Sequence, residues 1–175
     1  MEKSCNGYAP HPHLLETLFA YKKKVSSVFR DVLGIYEIHH IAITRVTSQK
    51  KFLCLSSAPA MEFNLFNSAL WRYDRCYDPK WFLQNSHDYW PNLYDVTRYD
   101  ELYYLKQIKH DYALGISVAS EIYDQTLIYS LASQKSCPST QDFFTNLQDD
   151  FYKIGHYCFN LLEPLFDQCD KWNEK

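Results

Sequence analysis

At 175 residues the chain is long enough to bury one core and too short for two domains of ordinary size. A hydrophobic fraction of 46% against 22% charged residues is globular, and a formal charge of -3 without long runs of either sign excludes a basic footprint for nucleic acid. No 18 apolar residues run together and residues 1–13 lack the apolar core of a signal peptide, which predicts a cytoplasmic protein with no membrane partner. The cysteines, Cys5, Cys54, Cys76, Cys137, Cys158 and Cys169, are scattered singly with no C-x-x-C pair, so they read as buried or idle thiols of a reducing compartment.

After the loop Tyr8-Ala9-Pro10-His11-Pro12, an amphipathic helix is predicted over 13–33. Its stripe is Leu14, Leu15, Leu18, Phe19, Val25, Val28, Phe29, Val32 and Leu33, with Gly34 at the C-cap position. Lys22-Lys23-Lys24 reads as its solvated face. From Ile35 to Val46 the chain is β-rich; Thr47-Ser48-Gln49-Lys50-Lys51 turns it into Phe52-Leu53-Cys54-Leu55-Ser56, a first strand pair. Pro59 permits a helix over 60–72, where Met61, Leu65 and Ala69 recur at helical offsets, up to the break at Asp78-Pro79. A loop with Ser86, His87, Asp88, Pro91 and Asn92 follows, then a helix near 98–111 with Leu102, Leu105 and Ile108 on one side.

Residues 115–122 alternate as a strand, and Tyr123-Asp124-Gln125 turns them into 126–132, a second strand pair. The last helix is predicted over 138–172. Phe144, Leu147, Phe151, Ile154, Cys158, Leu161 and Leu165 step along it by alternating threes and fours, with Pro164 expected to kink it or mark its loose end. This seam serves either the helix's own sheet or a partner's helix, which makes Leu147, Phe151, Ile154 and Leu161 candidate residues of a homodimer contact. The predicted organisation is one domain over 1–175, with the sheet and an aromatic helical insert in 35–132. Hairpins split by helices predict an α+β fold, an antiparallel sheet flanked by helices.

Chemistry-bearing motifs are sparse. His39 and His40 are adjacent strand residues and point to opposite faces, and His11-x-His13 lacks a further ligand at a recurrent spacing, so no metal is expected. The glycines, Gly7, Gly34, Gly115 and Gly155, form no phosphate loop; a nucleophile elbow and a His-Glu-x-x-His helix are missing as well. Nothing local marks Cys54 or Cys76 as activated, and Asp149-Asp150 reads as a solvated helix face. The chain is therefore read as a non-enzyme without a cofactor.

What remains is recognition. Between Met61 and Tyr104 the aromatic residues crowd together, among them Phe63, Phe66, Trp71, Tyr73, Tyr77, Trp81, Phe82, Tyr89, Trp90, Tyr94 and Tyr99. Rings with polar tips suit the wall of a small-molecule pocket, and the same composition also fits a tyrosine-rich core. Asp78, amid Trp71, Tyr77, Trp81 and Trp90, is placed either to accept a hydrogen bond from a ligand or to make the turn before Pro79. These five are the candidate ligand-binding residues.

A first hairpin ending in Leu53-Cys54-Leu55-Ser56-Ser57-Ala58-Pro59, an aromatic helix, Asp78-Pro79, the later Trp90, and the lead Asp111-Tyr112-Ala113-Leu114-Gly115-Ile116-Ser117 into a second hairpin cover about 35–170 with the closing helix. This order resembles the sensory half of LuxR-type transcription regulators, above all the PAS-like sensors of such regulators in intracellular bacteria. The resemblance implies a PAS/GAF-like or autoinducer-binding-domain-like sandwich that senses a small molecule. In the autoinducer-binding branch a Trp and a Tyr one helical turn apart, an Asp before Pro and a later Trp contact an acyl-homoserine lactone. Asp78 and Trp90 match the last two. Met61 and Leu65 stand where the Trp and Tyr would be and the spacing to Asp78 is longer, so the implied ligand is another small molecule. The family's DNA-binding helix-turn-helix has no counterpart before Lys175, so no direct nucleic-acid contact is expected. The alternative expectation is a protein–protein interaction module or standalone effector that uses an aromatic surface patch.

Overall fold

Strands β1 (Ala9–Pro10), β2 (His40–Val46), β3 (Lys51–Ser56), β4 (His87–Tyr89), β5 (Leu114–Ile122) and β6 (Gln125–Ser133) form one sheet in the order β1-β3-β2-β6-β5-β4. The computed structural model describes residues 7–171. Cys5 and residue 172, the last one assigned to the final helix, lie outside the described residues. Every pairing is antiparallel except that of β1 with β3. The two expected hairpins are present and join through β2 and β6, in register from His40↔Ala132 to Val46↔Thr126. The β5–β6 turn has two residues, Tyr123 and Asp124, both at positive φ (49° and 64°), the backbone whose twist matches that of the flanking strands.

Because side chains alternate along a strand, the sheet has two unlike faces. One carries Ile41, Ile43, Leu53, Leu55, Ile116, Val118, Leu127, Tyr129 and Leu131 and is an ordinary aliphatic core. It is covered by α2 (Lys22–Arg30), α7 (Pro138–Asn146) and α8 (Gln148–Asp170). The other face presents His40, Ala42, Thr44, Cys54, Ser56, Gly115, Ser117, Ala119, Ser130 and Ala132, small or polar side chains that leave depth above the sheet, with Val46, Phe52 and Ile128 as its large apolar members. That depth is occupied by α1 (Leu14–Ala20), α3 (Pro59–Asn67) and the short helices α4 (Pro79–Phe82), α5 (Trp90–Leu93) and α6 (Tyr99–Tyr103).

Several elements differ from the sequence reading. The loop 8–12 holds β1, and residues 35–37 of the β-rich stretch form a 3-10 turn, so that the strand begins only at His40. The 13–33 helix is broken at Tyr21 (φ -119°), so that Leu14 and Leu18 pack on the aromatic side while Val25, Val28, Phe29 and Val32 reach the aliphatic side. No straight helix serves both faces of a sheet. The 60–72 helix ends at Asn67, where Ala69 takes a left-handed backbone (φ 61°) and a 3-10 turn, Leu70–Tyr73, follows. The loop after Asp78 holds β4, which pairs with β5 from His87↔Val118 to Tyr89↔Ile116. The 138–172 helix breaks at Leu147 (φ -110°) into α7 and α8, and α8 runs through Pro164 to Asp170.

Burial along α8 follows Phe151, Gly155, Cys158, Phe159, Leu162, Phe166 and Cys169, the 3.6-residue face of a helix lying on its own sheet and not an outward heptad seam. Gly155 permits the close approach: a Cβ there would stand 2.3 Å from the Tyr129 ring. Arg45, on β2, ties down the helix end through Asp167 at 2.7 Å. Phe151 is thus committed to the interior. Leu147 and Ile154 are half-buried, and Leu161 is 40% exposed.

Candidate functional site

The small-residue face of the sheet is where a site has room to form, and the aromatic segment folds over it. Phe52, on β3, is the hub of its lower half. Its ring meets Trp71 at 5.6 Å, Tyr77 at 5.4 Å and Phe82 at 6.1 Å, all edge to face, and Tyr77 meets Phe66 at 5.2 Å. Trp71, Tyr77 and Trp90 are buried in this layer and Trp81 packs against it half-buried. Asp78 stands at the rim, where its Oδ1 accepts from the Lys80 N–H at 2.9 Å and caps α4. The structure therefore brings four of the five candidate ligand residues into one layer and gives the fifth a capping bond.

The upper half of the layer is polar and was not singled out in the sequence. Asp74, four residues before Asp78, is 1% exposed and accepts from Lys106 Nζ at 2.6 Å; Lys106 is itself 3% exposed. The ammonium lies 4.3 Å from the centre of the Trp90 ring and 5.7 Å from that of Tyr94. Trp90 is held in turn by its Nε1–H on Ser117 Oγ at 3.1 Å, and Ser117 shares a hydrogen bond with Ser130. Burial is the largest influence and works against the charge on Lys106, yet the Asp74 carboxylate, by charge and hydrogen bond, together with Cys76 and Glu62 outweighs it, and the ammonium's pKa lies above its ordinary value.

Beside this pair stands His40, fully buried on β2. Its Nδ1 is 2.9 Å from Ser57 Oγ, and its ring packs on Tyr112 at 5.2 Å. Its Nε2 has no hydrogen-bond partner: the buried Glu62 Oε1, 3.6 Å away, is beyond hydrogen-bond length. His110, stacked on Tyr112, also has a buried Nε2 without a hydrogen-bond partner. An unmet polar atom in a closed interior costs about 1–3 kcal/mol, so such atoms ask for a ligand or a water. Burial pushes the Tyr112 hydroxyl up to about 12 and the thiols of Cys54 and Cys76 well above their usual value, which keeps all three protonated at neutral pH. Among the described residues no three His, Cys, Asp or Glu side chains are grouped to hold a metal ion.

Two surface grooves reach toward this centre. One of about 400 Å³ is lined by Tyr89, Pro91, Asn92, Gln107, Ala113, Leu114, Gly115, Gln141 and Thr145, with the hydroxyls of Tyr89 and Thr145 bonded to each other. The other, of about 390 Å³, is lined by Tyr103, Gln107, Ile108, Asp111, Tyr112, Ala113 and Gln134. Gln107 belongs to both. Its Oε1 accepts from the Tyr94 hydroxyl at 2.9 Å and its amide leans on the Tyr112 and Ala113 carbonyls, so one buried side chain stands between both grooves and the polar centre. None of the five candidate ligand residues lines either groove.

This arrangement is a mixed α+β sandwich, with a small-residue sheet face under an aromatic helical layer. Among solved structures the chain is similar to the crystal structure of Escherichia coli SdiA, with a TM-score of 0.56 and 14% identity over 89% of this chain and 68% of that one. At that identity the likeness carries the fold and nothing finer. No family model and no curated protein matches the sequence.

Proposed function

We propose that the chain is the small-molecule-sensing domain of a LuxR-type transcription regulator. It receives its ligand at the edge of the aromatic layer, next to the polar centre, in the grooves that Gln107 borders. One observation carries this reading: a fully buried histidine nitrogen, His40 Nε2, makes no hydrogen bond, with the buried Glu62 carboxylate 3.6 Å away, and His110 Nε2 on the neighbouring ring makes none either. The fold likeness supports it, as does the presence of two grooves at the edge of that layer, each within the size range of small-molecule sites. The rings around Phe52 form the floor and the Trp90–Tyr94–Tyr112 group forms the recognising wall.

Ligand binding there shifts the population between two packings of the segment that runs from α6 to β5. A homodimer in this reading uses the outer side of α8, where Tyr157 and the half-buried Ile154 line a groove with Ile35, and Leu161 is exposed further along the helix. No helix among the described residues is long and apolar enough to cross a membrane, which accords with a cytoplasmic regulator. The test is native mass spectrometry of protein purified from cells, followed by denaturing extraction. The proposal expects a mass excess that is released on unfolding as a discrete small molecule. A bare polypeptide mass, together with no thermal shift on adding a small-molecule cell extract, overturns it.

A further inference from the structure

The surroundings of Lys106 are those of an ammonium receptor. A carboxylate at 2.6 Å, the face of an indole at 4.3 Å and a phenol ring at 5.7 Å enclose a side chain that is only 3% exposed. Free organic ammonium ions are bound by this set of groups, a desolvated anion for the charge and aromatic faces for the rest. Stability alone is a poor reason to bury such a pair, since a buried ion pair contributes about as much as well-packed apolar residues of the same volume.

The backbone that carries Lys106 is also unusual. After α6 the helix widens into a π turn, Tyr104–Ile108, a form that recurs at functional sites. On that turn Lys106 and Gln107 point inward together while Tyr104 and Ile108 are more than half exposed. The residue holding the cage and the residue bordering both grooves are thus neighbours on one irregular turn.

We propose that Lys106 is a built-in guest: the Asp74–Trp90–Tyr94 cage is a binding site for an organic ammonium, occupied by a tethered one, and a free primary alkylammonium is the class of molecule that takes its place. The inference deepens the sensory reading by naming the chemistry of the ligand, but the cage itself is tested independently of it. Lys106→Ala removes three carbons and the ammonium, which is the outline of n-propylammonium. The variant is expected to lose on the order of 10 °C in melting temperature. Millimolar n-propylammonium is expected to restore at least half of that loss, saturably, while n-propanol, its neutral isostere, restores none.

A folded Lys106→Ala protein that ignores n-propylammonium, or answers n-propanol equally, overturns the proposal. Should Lys106→Ala fail to fold alone, refolding that succeeds only with n-propylammonium supports it. Failure even then, with an Asp74→Asn/Lys106→Met protein folding normally, shows a plain ion pair and overturns it. A metabolite retained by the wild-type protein bears on the sensory reading alone, so the two fail separately.

Discussion

Gly115 sits on β5 directly beneath Trp90, and adding one methyl there tests whether that ring is fixed where the site needs it. A Cβ on Gly115 would lie 2.1 Å from Trp90 Cδ2 and 2.2 Å from its Cε3. Carbon atoms rest about 3.5–4.0 Å apart, so the indole must retreat by roughly 1.5 Å. It has nowhere to go: the ring is fully buried, its Nε1–H is bonded to Ser117, and Lys106 lies over its face. Overpacking a filled core costs about 1–3 kcal/mol. Loss of the indole hydrogen bond adds about 1 kcal/mol, and weakening of the ammonium contact adds about 1 kcal/mol more. Gly115→Ala is therefore expected to destabilise by roughly 3–5 kcal/mol, or about 6–20 °C in melting temperature at this chain length. Urea denaturation followed by tryptophan fluorescence and circular dichroism reads both the loss and the displaced indole. A change below about 1 kcal/mol, with the fluorescence maximum unmoved, would mean that Trp90 does not rest on β5.

Other consequences are equally direct. Lys106→Met and Asp74→Asn, each leaving the partner buried and unpaired, are expected to cost about 3–5 kcal/mol singly and far less than their sum together; additive losses would sink the pairing. Because the Lys106 pKa is raised on folding, its contribution is complete below its unfolded value near 10.4 and disappears as pH climbs through the folded value. The buried hydroxyls of Tyr77, Tyr94 and Tyr129 are raised too and act in the same direction, so the lysine's share is the difference in alkaline stability loss between wild type and Lys106→Met. Gly155→Ala gains about 1 kcal/mol of helix propensity but drives a methyl into Tyr129, and a net fall in melting temperature is expected; a rise would refute the α8–sheet contact. Hydrogen bonds from Ser139 and Thr140 lower the exposed Cys137 thiol to about 7, whereas burial raises Cys54, Cys76, Cys158 and Cys169. In folded protein at pH 7.5 iodoacetamide should label Cys137 first among these five, as peptide mass mapping will show.

The sheet was legible because its four long strands alternate and are closed by turns with recognisable chemistry, Thr47–Lys51 and Tyr123–Asp124. β4 was hidden because three residues, His87–Tyr89, are too few to show a period. The breaks at Tyr21 and Leu147 occur at residues that carry no breaker signal, so apolar spacing continued across them and two helices read as one. The same continuity made α8 resemble a partner-seeking seam, when its inward face is set by contact with Tyr129 and the sheet. At the site, the aromatic layer was visible in composition. The choice of Asp78 followed the Asp-Pro step, a local signal that describes a helix cap, while the buried carboxylate, Asp74, is paired with Lys106, 32 residues away. The polar centre joins residues 40, 62, 74, 94 and 106, and no local pattern links them. One clue was available: Lys106 lies four residues after Leu102, on the apolar side of its helix, where an exposed lysine does not belong.

A sensory domain is defined by where it receives its small molecule. Hydrogen-exchange mass spectrometry of the domain, with and without the small-molecule fraction of a cell extract, locates it most directly. Slower exchange is predicted in 87–93 and 104–115, the two segments that border the grooves and the polar centre, with α2 and α8 unaffected. Protection confined to α2 and α8, or no protection anywhere, would contradict the proposal.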